Sequence, residues 1–228
     1  MEIMIMGIQG MFKGLANTET SSRLPNPAVG TADYLVESIK WKENRNGGFR
    51  VCVRGVCLRG VDGDGNTKGD RVEYPIFSGE YFLKELKRLI LCLADVPADQ
   101  EDEIIDMMCP AEDYPKLSDA ERKELAWEKI AQDTCALNEK GQATASGCFD
   151  GQVVVRLETI RTEAKPTGKY VPNPDGSGDM LPEMGNSYEN TYPCKLIPLS
   201  EVAEFLDPKE IERFFGSAEN FAKLLEDE

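Results

Sequence analysis

Five segments with strand-like alternation and one amphipathic helix follow each other in a set order, which restricts the fold more than any motif does. Ala32–Lys42 comes first, with Leu35, Ile39 and Trp41 on one parity and Tyr34, Val36 and Lys40 on the other. The turn from Glu43 to Gly48 contains Asn46-Gly47, a hairpin signal because both residues tolerate positive φ. Phe49–Val61 is second. Its Phe49, Val51 and Val53 point one way, its Arg50, Cys52 and Arg54 the other, and Gly55 marks a bulge or bend. The loop from Asp62 leads to the third segment, Arg71–Phe77, whose Val72, Tyr74 and Ile76 share a face. Tyr81–Asp95 then spaces Phe82, Leu86, Leu89, Ile90 and Leu93 as a helix does, with Ser78 as its expected N-cap. Gln152–Glu163, with Val153, Val155 and Leu157 inward, and Thr191–Pro198 complete the set.

Strand, strand, strand, helix, strand, strand is the chain order of the five-stranded OB barrel. The expected fold is therefore mainly β within the α+β class: an OB-type barrel with a helical insertion and C-terminal helices. Residues 1–30 read as an N-terminal arm, in which Met4, Ile5, Met6 and Ile8 are apolar, and residues 31–200 as the barrel domain. An acidic insertion occupies 96–147. Within it Ser118-Asp-Ala-Glu121 forms a capping box opening a helix to about Thr134, and Asp99–Met108 is a shorter one. Ala164–Asn190 reads as a polar loop too long to be mere connection. In the last part, 201–228, Asp207-Pro-Lys-Glu210 caps a helix ending at Gly216, and Ser217–Leu225 forms another before the acidic end.

The chain contains no histidine, so Ser-His and Cys-His nucleophile pairs are impossible. Neither GxxxxGK[ST] nor GxGxxG occurs, and no enzymatic activity, cofactor or metal is expected. Asp99, Glu101, Asp102, Glu103 and Asp106 read as a helix start favoured by its dipole rather than as a cation site. Asp62, Asp64, Asn66, Lys68, Asp70 and Glu73 have EF-hand spacing, but Thr67 stands where the loop needs glycine and the flanks are strands, so a hairpin loop is expected. Seven cysteines, without a CxxC pair, fit small buried thiols in a reducing cytoplasm. The first residues lack a basic leader and are broken by glycine, so neither a secretory signal nor a membrane span is expected.

Charge separates the segments. The net charge is −15, yet residues 31–90 carry 11 Lys/Arg against 9 Asp/Glu, while 91–150 carry 5 against 15 and 201–228 carry 3 against 9. Binding a single strand without regard to sequence needs cations along the phosphates and rings on which bases stack. Lys40, Lys42, Arg45, Arg50 and Arg54 supply cations around the first hairpin, with Trp41 beside them. Lys165, Lys169 and Tyr170 lie in the loop joining the last two strands, one of the two loops that flank an OB groove. The competing reading is that these cations solvate an antiparallel sheet while Trp41 and Phe49 fill its core.

Four stretches resemble the single-stranded-DNA-binding proteins of tailed phages: Val29-Gly-Thr-Ala-Asp-Tyr-Leu-Val36, Gly48-Phe-Arg-Val-Cys-Val53, Leu83–Leu93 and Gly147-Cys-Phe-Asp-Gly-Gln-Val-Val-Val155. That resemblance implies a non-enzymatic OB-fold protein coating single-stranded DNA in phage replication, recombination and repair, in the host cytoplasm. It further implies an acidic C-terminal segment, here Glu226, Asp227 and Glu228, that recruits replication or recombination proteins, and it is compatible with a homo-oligomer. The end departs from the T7-type pattern, which closes on an aromatic residue after a longer acidic run. The alternative is an interaction or assembly protein using an OB-like barrel and acidic helical surfaces, because the barrel alone does not imply nucleic acid.

Overall fold

The computed structural model describes residues 24–43, 48–63, 65–97, 99–174 and 180–226. The arm up to residue 23 and the hairpin tip at 44–47 lie outside them. Among the described residues there are seven strands: β1 (Gly30–Glu43), β2 (Phe49–Asp62), β3 (Arg71–Phe77), β4 (Val154–Arg161), β5 (Pro166–Pro172), β6 (Met180–Met184) and β7 (Glu189–Ile197). The helices are α1 (Phe82–Leu93), α2 (Glu101–Met108), α3 (Asp119–Thr134), α4 (Leu199–Phe205), α5 (Pro208–Phe215) and α6 (Ala218–Glu226). The class is α+β.

Five strands form one antiparallel sheet in the order β3-β2-β1-β4-β7. Among the described residues β5 and β6 pair only with each other, so the expected 164–190 loop contains a hairpin of its own. Among the described residues no ladder joins β3 to β7, and the sheet is open where the expected barrel would close. Each of these edges carries a proline, Pro75 and Pro193, and proline has no N–H to give a ladder.

One face of the sheet, with α1, encloses the larger core. Val51, Val53, Cys57, Val72, Tyr74, Ile76, Val155 and Leu157 meet Phe82, Leu86, Leu89 and Leu93 there. Ile104 of α2 and Ile130 of α3 join the same cluster, so the acidic insertion is packed onto α1. Some of its acids are paired: Glu101 with Lys87 and Lys123, Asp102 with Lys123, and Asp106 and Asp119 with Arg122. The second core lies on the opposite face. Leu35, Val56, Leu58, Val154 and Ile197 are covered by Val202, Leu206, Phe215 and Phe221 of the C-terminal helices.

β1 does not keep one parity. Ala32, Tyr34 and Val36 face the larger core, but so do Ile39 and, at its margin, Trp41. The switch occurs at Glu37, which has no partner on β2 while Val36 faces Gly55 and Ser38 faces Arg54. An extra residue in one strand shifts every later side chain to the other face. The glycine at 55 accommodates it, since a Cβ there would lie 3.1 Å from the Leu35 carbonyl oxygen. Asp150 secures the far side of the bulge, accepting from the Ile39 N–H (3.0 Å) and the Gly147 N–H (3.0 Å), while Gly151 N–H donates to Val36.

Both capping boxes form. Ser118 N–H donates to Glu121 Oε2 (2.8 Å) and Glu210 N–H donates to Asp207 Oδ1 (2.9 Å). Ser78 is not an N-cap: its hydroxyl accepts from the Phe49 N–H (3.4 Å), and α1 starts only at Phe82 after a turn through Gly79.

Candidate nucleic-acid interface

Cross-strand register on the outer sheet face, opposite the larger core, brings the predicted cations together. After the bulge, Lys40 and Lys42 of β1 point outward and stand opposite Cys52 and Arg50 of β2. Arg50 in turn faces Phe77 of β3, and Arg54 faces Glu73. Lys40, Lys42, Arg50 and Arg54 thus occupy one stretch of outer face at the hairpin end, each half-buried along its stem. The C-terminal helices cover the other end of that face, beginning at Val56. Arg45, at the hairpin tip, lies outside the described residues.

The cations are not all unpaired. Glu73 Oε2 accepts from Arg54 Nε (2.6 Å) and Lys42 Nζ (3.0 Å). Burial disfavours its charge, but those hydrogen bonds and the Lys42 charge outweigh burial and hold the Glu73 carboxyl at about 2. Lys40 Nζ reaches the Ala145 carbonyl oxygen (3.4 Å), and Arg50 Nε lies 3.2 Å from Cys52 Sγ. Arg50 forms no ion pair among the described residues. Lys40 likewise forms none, so these two are the cations of this group most available to an anion.

Trp41 is elsewhere. Its ring stacks on Phe49 with centroids 4.2 Å apart and meets Phe82 edge-on at 6.0 Å. It alternates with Lys40 and Lys42 along β1 and packs at the margin of the larger core, so the indole does not share the face that carries them. The aromatic side chain that does share it is Phe77, 55 % exposed and missed in the sequence reading. Its signal was there, because Phe77 has the parity opposite to Val72, Tyr74 and Ile76.

Lys165, Lys169 and Tyr170 lie on or beside the β5–β6 hairpin, all exposed. Val171, Met180, Leu181, Met184 and the nearby Tyr188 are exposed as well. Among the described residues this hairpin forms its own two-stranded sheet and pairs with no strand of the main sheet. Glu226 ends α6 and is exposed, while Asp227 and Glu228 lie outside the described residues.

The remaining candidates are accounted for by the fold. Asn66, central to the loop with EF-hand spacing, donates to the Ala28 carbonyl (3.2 Å) and accepts from the Ala28 N–H (3.1 Å) and the Tyr34 hydroxyl. Lys68 of the same loop pairs with Glu210 (2.8 Å). All seven cysteines are unbridged, and Cys148 and Cys194 are exposed rather than buried. Burial pushes the Cys57 thiol up to about 11 and those of Cys92 and Cys135 up to about 12, so these thiols are protonated at neutral pH. Among the described residues no helix is long and apolar enough to cross a membrane. No protein-family model matches the chain, and no curated protein matches it in sequence.

Proposed function

We propose that this chain is an OB-type protein that coats single-stranded DNA without sequence preference and without catalysis, serving phage replication, recombination and repair in the host cytoplasm. The observation that carries the proposal is the clustering of Lys40, Lys42, Arg50 and Arg54 with exposed Phe77 on one uncovered stretch of outer sheet, in a chain whose net charge is −15. The strand order β3-β2-β1-β4-β7, with a helix between β3 and β4, supports the OB-type reading. Phosphates would track the cations. Bases would stack on Phe77, each such stack being worth about 1–3 kcal/mol. The β5–β6 hairpin, with Lys165, Lys169 and Tyr170, would form the second lip of the groove, and Arg45 the first. Glu226, Asp227 and Glu228 would recruit replication or recombination proteins, and the coating chains would associate with one another.

Anisotropy of a labelled oligo-dT, titrated across a salt series and compared with single-stranded RNA and duplex, tests this. Binding to the single strand should be tighter than to the duplex, with log K falling by about 0.7 per log salt for each phosphate neutralised. Arg50→Ala should weaken binding and reduce that slope. Equal affinity for duplex, or no binding at low salt, removes the proposal. Trp fluorescence is a poor reporter because Trp41 is packed on Phe49; Phe77→Trp places the probe where the strand would lie.

A second reading has its own observation. Val171, Met180, Leu181 and Met184 expose apolar surface on one hairpin, as protein-contact sites do. An assembly protein holding a partner through this hairpin would show a nuclease-resistant complex and no oligonucleotide shift.

A further inference from the structure

The gap between β3 and β7 is a cavity of about 490 Å³, within the range of about 300–1,000 Å³ usual for small-ligand sites. Its walls combine rings with hydrogen-bond acceptors. Phe77 and Tyr81, 55 % and 63 % exposed, stand on one side and Tyr192 of β7 on the other. Tyr74 lines it from the core side; it is 4 % exposed and its hydroxyl has no hydrogen-bond partner among the described residues. A buried phenol without a partner carries a desolvation cost that a ligand can relieve. Glu85 of α1 also lines the cavity, close enough that its charge helps push the Tyr74 phenol up, after burial itself. Glu189 is paired with Arg161 (2.6 Å), whereas Glu85 forms no ion pair among the described residues. The wall chemistry therefore rejects a phosphate and suits a flat ring that presents N–H donors.

Phe77 belongs both to this cavity and to the basic outer row, directly opposite Arg50. A nucleotide whose phosphate sits on Arg50 and Lys42 thus has its base at the cavity mouth. We infer that the β3–β7 gap is a nucleobase pocket, stacking the ring on Phe77 and Tyr81 and taking the exocyclic amine of cytosine or adenine on Glu85. This rests on the proposed binding of single-stranded DNA, and it adds a base preference to an otherwise sequence-tolerant surface. A carboxylate accepts from the exocyclic amine of cytosine, whereas uracil presents the O4 acceptor at that position and its N3–H donor one ring atom away.

The test titrates the full chain with oligo-dC and oligo-dU of equal length at neutral pH and one salt concentration. The two differ at the pyrimidine edge and not in backbone. Oligo-dC should bind about fivefold more tightly. Glu85→Ala should bring the ratio to near unity. Arg50→Ala should weaken both equally and preserve the ratio. Tyr74→Phe removes the hydroxyl and, where Glu85→Ala fails to fold, reports instead through a reduced ratio. Equal wild-type binding of the two oligomers overturns the pocket while leaving the coating function intact, as does a preference that persists in Glu85→Ala. Failure to bind either overturns both.

Discussion

Glu73 governs how much positive charge the outer face can offer. Two of its four cations, Lys42 and Arg54, spend hydrogen bonds on this one carboxylate. Its folded-state value of about 2 lies below the ordinary carboxylate value, so the ion pairs contribute stability that is fully present above about pH 4.3. That contribution disappears as pH falls towards 2. In Glu73→Gln it should be missing at all pH values. Urea midpoints of wild type and variant should therefore differ most at pH 6 and converge towards pH 2, with a gap worth up to about 3 kcal/mol before screening of the half-exposed cations reduces it. The same substitution releases Lys42 and Arg54. Affinity for single-stranded DNA should rise and the salt slope steepen by about 0.7 for each cation that gains a phosphate. An unchanged slope means that neither cation faces the strand. None of this pairing was legible in the sequence, because it depends on Arg54 standing opposite Glu73 across two strands. The cations themselves were legible, since Arg50 and Arg54 alternate with Val51 and Val53.

At the scale of the element, the segment 147–151 determines which way β1 points its side chains. Asp150 bonds both the Ile39 and Gly147 N–H groups, and Gly147 sits where a Cβ would lie 2.6 Å from the Asp133 carbonyl oxygen. Asp150→Ala leaves two main-chain donors short of a charged acceptor, each such bond being worth about 1.5–3 kcal/mol. The variant should lose about 3–6 kcal/mol in urea unfolding. It should also bind DNA more weakly, because Lys40 and Lys42 follow the bulge in register. Wild-type stability would mean that the Glu37 bulge holds without this clasp. Gly55 in the sequence signalled an irregularity here, yet the extra residue lies in the facing strand. A strict alternation therefore grouped Leu35 with Ile39 and Trp41, although the bulge sends Leu35 to the opposite face. Local patterns read well wherever a single element decides them, as in the capping boxes of Ser118 and Asp207. They failed where a neighbouring strand decides.

On the scale of the whole molecule, the outer sheet face is divided between a basic end and an apolar end roofed by α4, α5 and α6. Val56 and Leu58 lie on the same side as Arg54, and that apolar continuation was the sequence sign that something must cover it. The sheet contributes Leu35, Val56, Leu58, Val154 and Ile197 to this second core, and the helices contribute Leu199, Val202, Leu206, Phe215 and Phe221. Burying each such side chain is worth about 1.5–3 kcal/mol, so together they exceed the 5–15 kcal/mol by which a domain is ordinarily stable. A chain ending at Pro198 should therefore fail to fold cooperatively and should aggregate through the exposed sheet face. Phe221→Ala should be milder, costing about 3–5 kcal/mol, with DNA binding retained by the folded fraction. A chain ending at Leu225 removes only the acidic end and should melt as the full chain does. If that end competes with DNA for the basic stretch, the shortened chain binds single strands more tightly at low salt, and the difference vanishes at high salt because both contacts are screened. Equal affinity at low salt would assign the acidic residues to partner proteins alone, and a folded, soluble chain ending at Pro198 would make the helical roof an accessory rather than part of the core.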